Sequence, residues 1–108
     1  MASRVLDKAE WHSYFDKLAK VVQAKQTHIE VIGPAMGDQV LAKSVPLLGI
    51  AYEPAADLLE IALKGFDHLI RHPKRITVQE DGDILQSFEV IDEDGLQQIV
   101  TLSPAIRL

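Results

Sequence analysis

The sequence predicts an α+β fold, in which an N-terminal amphipathic helix packs on a twisted, antiparallel meander of about six to seven short strands that can curl into a half-barrel. Three observations predict it. Apolar residues first recur every three or four positions, as along one face of a helix. The period then changes to two, which is typical of half-buried strands. Asp-Gly pairs at 81–82 and 94–95 are hairpin signals, and no later link is long enough for a crossover helix.

The helix is expected at about residues 7–25. Its apolar stripe consists of Trp11, Phe15, Leu18, Ala19 and Val22. Asp7 and Glu10 fit a capping box, in which the aspartate accepts a hydrogen bond from an early amide. Because this is the one long helical element, we expect it to cover the concave face of the sheet, with Trp11 and Phe15 buried.

The predicted strands are short and end at glycine or proline. They lie at residues 28–32, 40–45, 48–52, 59–63, 76–79, 84–91 and 96–102. Pro46 is expected to close the second strand, and residues 105–108 to form a short tail. Residues 66–72 are open to three interpretations: strand, loop or short helix. Gly49 in mid-strand indicates a bulge or a close approach by the ring of Trp11 or Phe15.

Composition excludes several classes of function. A chain of 108 residues, 47% of them hydrophobic, is expected to form one domain (1–108) with one core. The absence of cysteine excludes disulfides, thiolate zinc sites and cysteine nucleophiles. A net charge of −5 argues against non-specific binding to nucleic acid. No apolar run approaches the roughly 20 residues that span a bilayer, so we expect no membrane contact and a cytoplasmic location.

One local basic cluster is formed by Arg71, His72, Lys74 and Arg75. Guanidinium groups can hold a carboxylate or phosphate through paired hydrogen bonds, so a small anion is a candidate ligand. The alternatives are a solvated loop and internal ion pairs. Internal pairing is favoured, because the chain after residue 75 carries seven acids and one base. In a pocket, we expect Tyr52 to join Arg71 and His72.

His68 and His72 are four residues apart, as in metal-binding pairs on helices. Pro73 disfavours helical geometry at His72, and in an extended chain the two imidazoles would lie roughly 13 Å apart. No metal site is therefore predicted. The sequence also lacks the motifs of a serine nucleophile or a phosphate loop, so we assign no catalytic residue and no cofactor.

Three stretches of the sequence form a recognisable set: Glu-Trp-His-Ser-Tyr-Phe at 10–15, Leu-Leu-Gly-Ile-Ala-Tyr at 47–52, and His-Leu-Ile-Arg-His-Pro at 68–73 with Ile76 after it. Together they resemble the DUF5335 family, a family of small bacterial proteins of unknown function. The resemblance covers nearly the whole chain and implies an intact single domain of bacterial type. It implies no activity, ligand or catalytic residue.

The sequence favours a small, non-enzymatic binding or protein-interaction module that associates with itself. A homodimer would form through a sheet edge, for which residues 96–102 and the apolar tail through Ile106 and Leu108 are the candidates. The alternative is a small enzyme or ligand-binding protein with a pocket between helix and sheet.

Overall fold

The computed structural model describes residues 2–22, 25–35 and 37–108, and it confirms an α+β fold with an antiparallel sheet. In chain order, the elements are β1 (Ala2–Val5), a 3-10 helix (Lys8–Glu10), α1 (Trp11–Ala19), β2 (Gln26–Gly33), β3 (Gly37–Glu53), β4 (Leu58–Leu63), β5 (Phe66–Arg71), β6 (Pro73–Asp81), β7 (Ile84–Asp92) and β8 (Gln97–Arg107). In these ranges no helix is long and apolar enough to cross a membrane.

The eight strands form one open sheet in the order β1-β6-β7-β8-β2-β3-β4-β5. It consists of two meanders, β2 to β5 and β6 to β8, which are joined where β8 pairs with β2. The prediction of six to seven strands is therefore corrected to eight. Two strands were not assigned from the sequence: β1, which is only four residues long, and β5, which had been left open between strand, loop and helix.

The helix is shorter than the predicted 7–25, since α1 has nine residues. Its buried side chains, Trp11, Phe15 and Leu18, are those expected from the stripe. The predicted capping box is wrong, because neither Asp7 nor Glu10 makes a side-chain capping hydrogen bond. The Glu10 carboxylate instead pairs with the Arg4 guanidinium at 2.8 Å. β-branched residues at positions 21 and 22 favour a helix less, and residues 23 and 24 lie outside the described ranges.

Aromatic contacts attach α1 to both meanders. The ring of Phe15 lies edge-on to that of Phe88 in β7, with centroids 5.3 Å apart. The ring of Trp11 lies edge-on to that of Tyr52 in β3, with centroids 5.2 Å apart. Such contacts add to the burial of the rings. The helix therefore covers the junction between the two halves of the sheet.

The third strand is one continuous element of 17 residues, and Pro46 does not end it as predicted. Residues 37–46, the first half of β3, pair with β2, and residues 47–53, the second half, pair with β4. Pro46 lies at this change of partner, where a strand tolerates a residue without an N–H. A register shift at Leu48 confirms the bulge predicted at Gly49. The predicted close approach of an aromatic ring is wrong, because a Cβ on Gly49 would meet only the Cβ of Ala62, at 3.9 Å.

The predicted short tail at residues 105–108 and the placing of a sheet edge at residues 96–102 are also wrong. β8 runs through to Arg107 and lies between β7 and β2, so it is an inner strand. Ile106 faces Leu85 across the β7–β8 ladder and is buried. The outer strands of the sheet are β1 and β5.

The sheet is strongly curled, because side chains from distant strands touch across its inner face. β5 and β8 are four strand steps apart, which would be about 19 Å in a flat sheet. Nevertheless, His68 Nε2 of β5 donates to Gln98 Oε1 of β8 at 2.6 Å. Gln98 in turn donates to the Asp92 carboxylate, which also accepts the N–H groups of its own turn. The apolar core fills the concave side that this curl creates.

Candidate functional site

Two chain reversals meet at one corner of the sheet. The β3–β4 turn ends at Asp57, and β5 passes into β6 through His72 alone. Both residues have left-handed backbones, with φ of 48° and 52°, which costs of the order of 1 kcal/mol or more for a residue with a Cβ. The His72 N–H donates to the Asp57 carbonyl oxygen at 2.8 Å, so the two strained positions hold each other. We call Tyr52, Asp57 and His72 the corner cluster.

The Asp57 carboxylate links the side chains of the corner cluster. The Tyr52 hydroxyl donates to Asp57 Oδ1 at 2.7 Å, and His72 Nδ1 lies 3.2 Å from Oδ2. The Lys8 ammonium is 3.9 Å from Oδ1. Tyr52 is buried, whereas about half of the His72 side chain is exposed. A buried phenol, a partly buried carboxylate and a surface imidazole thus form one hydrogen-bonded chain.

The charge states in this chain follow from its contacts. The hydrogen bond from Tyr52 lowers the pKa of Asp57, and His72 and Lys8 lower it further against the opposing effect of burial. Burial, followed by the hydrogen bond to Asp57, raises the pKa of Tyr52 to about 12. At neutral pH, Asp57 is therefore an anion that can only accept, and Tyr52 is a neutral donor. The proton shared by Asp57 and His72 must lie on Nδ1, and His72 Nε2 makes no hydrogen bond to the described residues.

The start of the helix packs directly against the corner cluster. His12 Nδ1 donates to the Tyr52 carbonyl oxygen at 3.2 Å. Lys8 lies over the Trp11 ring, with its Nζ 5.6 Å from the centroid. The Trp11 indole is buried, yet its N–H has no acceptor among the described residues. A buried donor without an acceptor costs about 1–3 kcal/mol, so the Trp11 indole N–H lowers the stability of this end of the helix–sheet contact.

The structure brings only part of the predicted site together. Tyr52 and His72 meet through Asp57, which the sequence analysis did not single out. The signal that could have found Asp57 is its place in the short turn between two strands, where aspartate tolerates a left-handed backbone. Arg71, Lys74 and Arg75 are exposed beside His72.

Of the internal ion pairs favoured for this basic cluster, the described residues form one, between His72 and Asp57. Within the described ranges, Arg71, Lys74 and Arg75 make no ion pair within 4.0 Å. The acid that faces Pro73 across the β6–β7 ladder is Asp92, but its carboxylate is already bonded to Gln98 and its own turn. Among the described residues, the carboxylate that binds the cluster is that of Asp57, and it lies in the β3–β4 turn and not in the last third of the chain.

The two histidines have separate partners. His68 lies on β5 and contacts Gln98, whereas His72 lies beyond the end of the strand and contacts Asp57. The segment is extended, as the argument against a metal pair assumed. In the part of the chain that the structure describes, no three His, Asp or Glu side chains are placed to hold a metal ion.

The structure contains a small cavity that is not lined by the corner cluster. It has a volume of about 50 Å³ and lies where β2, β3 and β8 are neighbours, with Thr27, His28, Ser44 and Thr101 in its lining. It does not include Tyr52, Arg71 or His72. Beneath the helix, by contrast, Phe15 and Leu18 are fully buried in the core. The predicted meeting of Tyr52, Arg71 and His72 in a pocket between helix and sheet therefore has no counterpart in this cavity.

The fold and the site together define an α+β domain in which one short helix lies on a curled, eight-stranded antiparallel sheet, with a polar cluster at one corner. The chain belongs to the family described as "Family of unknown function (DUF5335)", whose model matches residues 2–108. The family resemblance seen in the sequence is thereby confirmed. The chain is also 40% identical over 109 residues to an "Uncharacterized protein" of Aquifex aeolicus (strain VF5), and the match covers 100% of this chain and 98% of that protein. No solved structure matches the chain significantly.

Proposed function

We propose that this protein is a non-enzymatic interaction module that forms a homodimer by pairing the first half of β3 with the same segment of a second copy. The proposal rests on which strands lie on either side of this segment. Residues 37–46 pair with β2 along one side, and no described strand lies along the other. An edge of this kind is a template for pairing with another chain.

The side chains of this edge favour a protein partner. Val40 is 55% exposed and the neighbouring Leu41 is 46% exposed. Farther along the same strand, Leu48 is also exposed. Natural edge strands are commonly protected by charges, by short length or by a covering helix. Here the exposed apolar residues are flanked only by Asp38 and Lys43.

The distribution of charge favours a second copy over an unrelated partner. Antiparallel self-pairing about a two-fold axis near Val40 or Leu41 places Asp38 of one copy within one residue position of Lys43 of the other. Opposite charges would thus meet at both ends of the shared ladder, as a two-fold interface requires of a self-complementary surface. An edge of this length buries less area than the standard interface of about 1,200–2,000 Å², so the dimer should be weak and dependent on concentration.

The alternative of an enzyme with a pocket between helix and sheet has less support. Such a pocket would need space beneath α1, where the aromatic and aliphatic side chains of the stripe are buried in the core. The outer strand β1 is also less suitable for a partner, because it has four residues and its Arg4 is held by Glu80 and Glu10.

The test is sedimentation velocity of the wild type and of two leucine-to-lysine variants over a wide range of micromolar concentrations. Leu41→Lys adds a charge at the proposed interface and should leave a monomer. Leu69→Lys is the matched control, because Leu69 is 39% exposed on the outer strand β5 and should be outside the interface. A wild type that stays monomeric throughout would contradict the proposal. A Leu69→Lys variant that dissociates while Leu41→Lys remains dimeric would place the interface on β5 instead.

A further inference from the structure

We infer that the corner of the sheet at His72 binds a phosphate group, through the His72 imidazole and the guanidinium of Arg71. This inference is independent of the proposed dimer, because the corner and the first half of β3 share no residue. It rests on the fixed geometry of His72, on the absence of ion pairs at Arg71, Lys74 and Arg75 among the described residues, and on the number of donors that the segment presents.

His72 is held in one orientation by contacts of both its backbone and its ring. The backbone N–H donates to the Asp57 carbonyl oxygen at 2.8 Å, and Nδ1 lies 3.2 Å from the Asp57 carboxylate. Asp57 is itself fixed by the Tyr52 hydroxyl at 2.7 Å. A ring whose Nδ1 is held in this way presents Nε2 to solvent at a defined position. Preorganised groups bind a ligand with less loss of conformational freedom than a mobile side chain does.

Three basic side chains without an ion-pair partner among the described residues lie close to His72 in the sequence. Arg71, Lys74 and Arg75 are exposed and make no ion pair within 4.0 Å among the described residues. Asp57 is already shared by His72 and Lys8, and the Asp92 carboxylate, opposite Pro73, is bonded to Gln98 and its own turn. In a chain with a net charge of −5, a local excess of cations is the exception, and it attracts anions to this corner.

The kind of anion follows from the donors. Arginine presents a planar fork that matches two oxygens of a carboxylate or a phosphate. The His72 imidazolium, which carries a proton on Nε2 as well as on Nδ1, and Lys74 add further donors within three residues of Arg71. A carboxylate offers one charge and two oxygens, whereas a phosphate group offers up to two charges and three or more oxygens. The arrangement therefore fits a phosphate group better, whether it belongs to inorganic phosphate or to a phosphomonoester.

The experiment is a titration of the full-length protein with inorganic phosphate at constant ionic strength, followed by the backbone amide NMR signals. The wild type should show a saturable shift that is confined to residues near 71–75, and sodium chloride should not reproduce it. A parallel titration with phenyl phosphate separates the two sources. Tighter binding of phenyl phosphate would indicate that a phosphomonoester is the natural ligand, and equal or weaker binding would indicate the free anion.

Two variants and one control test the assignment of the donors. His72→Gly should keep the fold, because glycine adopts a φ of 52° without strain, and it should weaken phosphate binding about tenfold. Arg71→Gln should weaken binding to a similar extent. Lys17→Gln makes the same change of charge on the exposed face of α1 and should leave binding unchanged. Linear shifts spread over the whole protein, an equal response to chloride, or full binding by the His72→Gly and Arg71→Gln variants would each overturn the inference.

Discussion

The two halves of β3 belong to one strand but have different surroundings. The second half, residues 47–53, pairs with β4, and its other side is occupied by the helix and the segment that follows it. There the Leu47 N–H donates to the Lys25 carbonyl oxygen, and the Tyr52 carbonyl oxygen accepts from His12. The first half, residues 37–46, pairs with β2 and has no strand along its other side in the described ranges.

Burial follows the same division. In the second half, buried residues recur and face the core, whereas in the first half only Ala42 is buried. The first half also contains the register shifts on either side of the pairing between Ile29 and Ala42, and Ser44 there has a positive φ of 53°. The comparison teaches that one strand can serve as scaffold at one end and as an available edge at the other. The following predictions test that division, beginning with the largest effect.

The largest effect is expected at the helix, which contacts the second half of β3 through Trp11 and β7 through Phe15. Phe15 is fully buried against Phe88, so Phe15→Ala should lower the free energy of unfolding by about 3–5 kcal/mol. Urea denaturation measures this loss. Phe66→Ala is the matched control, because the same group is removed from a ring that is 43% exposed, and it should cost much less. A loss below about 1 kcal/mol for Phe15→Ala would mean that the helix is peripheral to the core.

The sequence was informative wherever periodicity controls the structure. The helical stripe predicted the burial of Trp11 and Phe15, because a helix of this pattern can bury only one face. Period two and the Asp-Gly turns located β6 to β8 for the same reason. The end of the helix was less predictable, because the apolar spacing continues through Val22, which is buried beyond the last helical turn.

Features that depend on contacts between distant residues were missed. The continuity of β3 across Pro46 depends on a change of strand partner, which a local reading of proline does not show. The sequence analysis placed a sheet edge at β8, which is wrong. β8 is an inner strand because it pairs with β2, and this pairing joins segments that are far apart in the sequence. The corner cluster was found only in part, since the role of Asp57 depends on the meeting of two turns that are 15 residues apart in sequence.

An intermediate effect on the free energy of unfolding is expected at the corner cluster, which lies at the end of the second half of β3 and in the turn that follows it. Asp57→Asn keeps a residue that tolerates the left-handed backbone but removes the charge that Tyr52 and His72 contact. We expect a loss of about 1–2 kcal/mol near neutral pH, at the low end for a bond to a charged group because the carboxylate is partly exposed.

This loss should depend on pH. The folded-state pKa of Asp57 is lower than its ordinary value of 3.8, so the folded protein binds this proton more weakly than the unfolded chain does. The stability that the carboxylate contributes is thus fully present above about pH 5 and is lost as the pH falls through the folded pKa.

Urea midpoints should differ between wild type and Asp57→Asn near neutral pH and converge in acid. Asp67→Asn, which removes an exposed carboxylate on β5, should show no comparable convergence. A gap that persists undiminished in strong acid would show that charge is not the cause.

The smallest effect on monomer stability is expected in the first half. Leu41→Ala removes an apolar group that is already 46% exposed, so the free energy of unfolding of the monomer should change by about 0.5 kcal/mol. Leu47→Ala makes the same deletion six residues later in the same strand. Since Leu47 is only 4% exposed, that change should cost about 2–5 kcal/mol. Urea denaturation at concentrations where the protein is monomeric measures both values.

The same Leu41→Ala variant also separates stability from association. If the first half is an interface, its apolar groups contribute to the dimer and not to the fold of the monomer. The dimer of the variant should therefore dissociate at protein concentrations at which the wild type is still dimeric. The free energy of unfolding of the monomer should stay nearly unchanged. A loss of stability equal to that of Leu47→Ala would mean that Leu41 supports the core. In that case, the exposed first half of β3 would be part of the scaffold, and the division of the strand into two functions would be wrong.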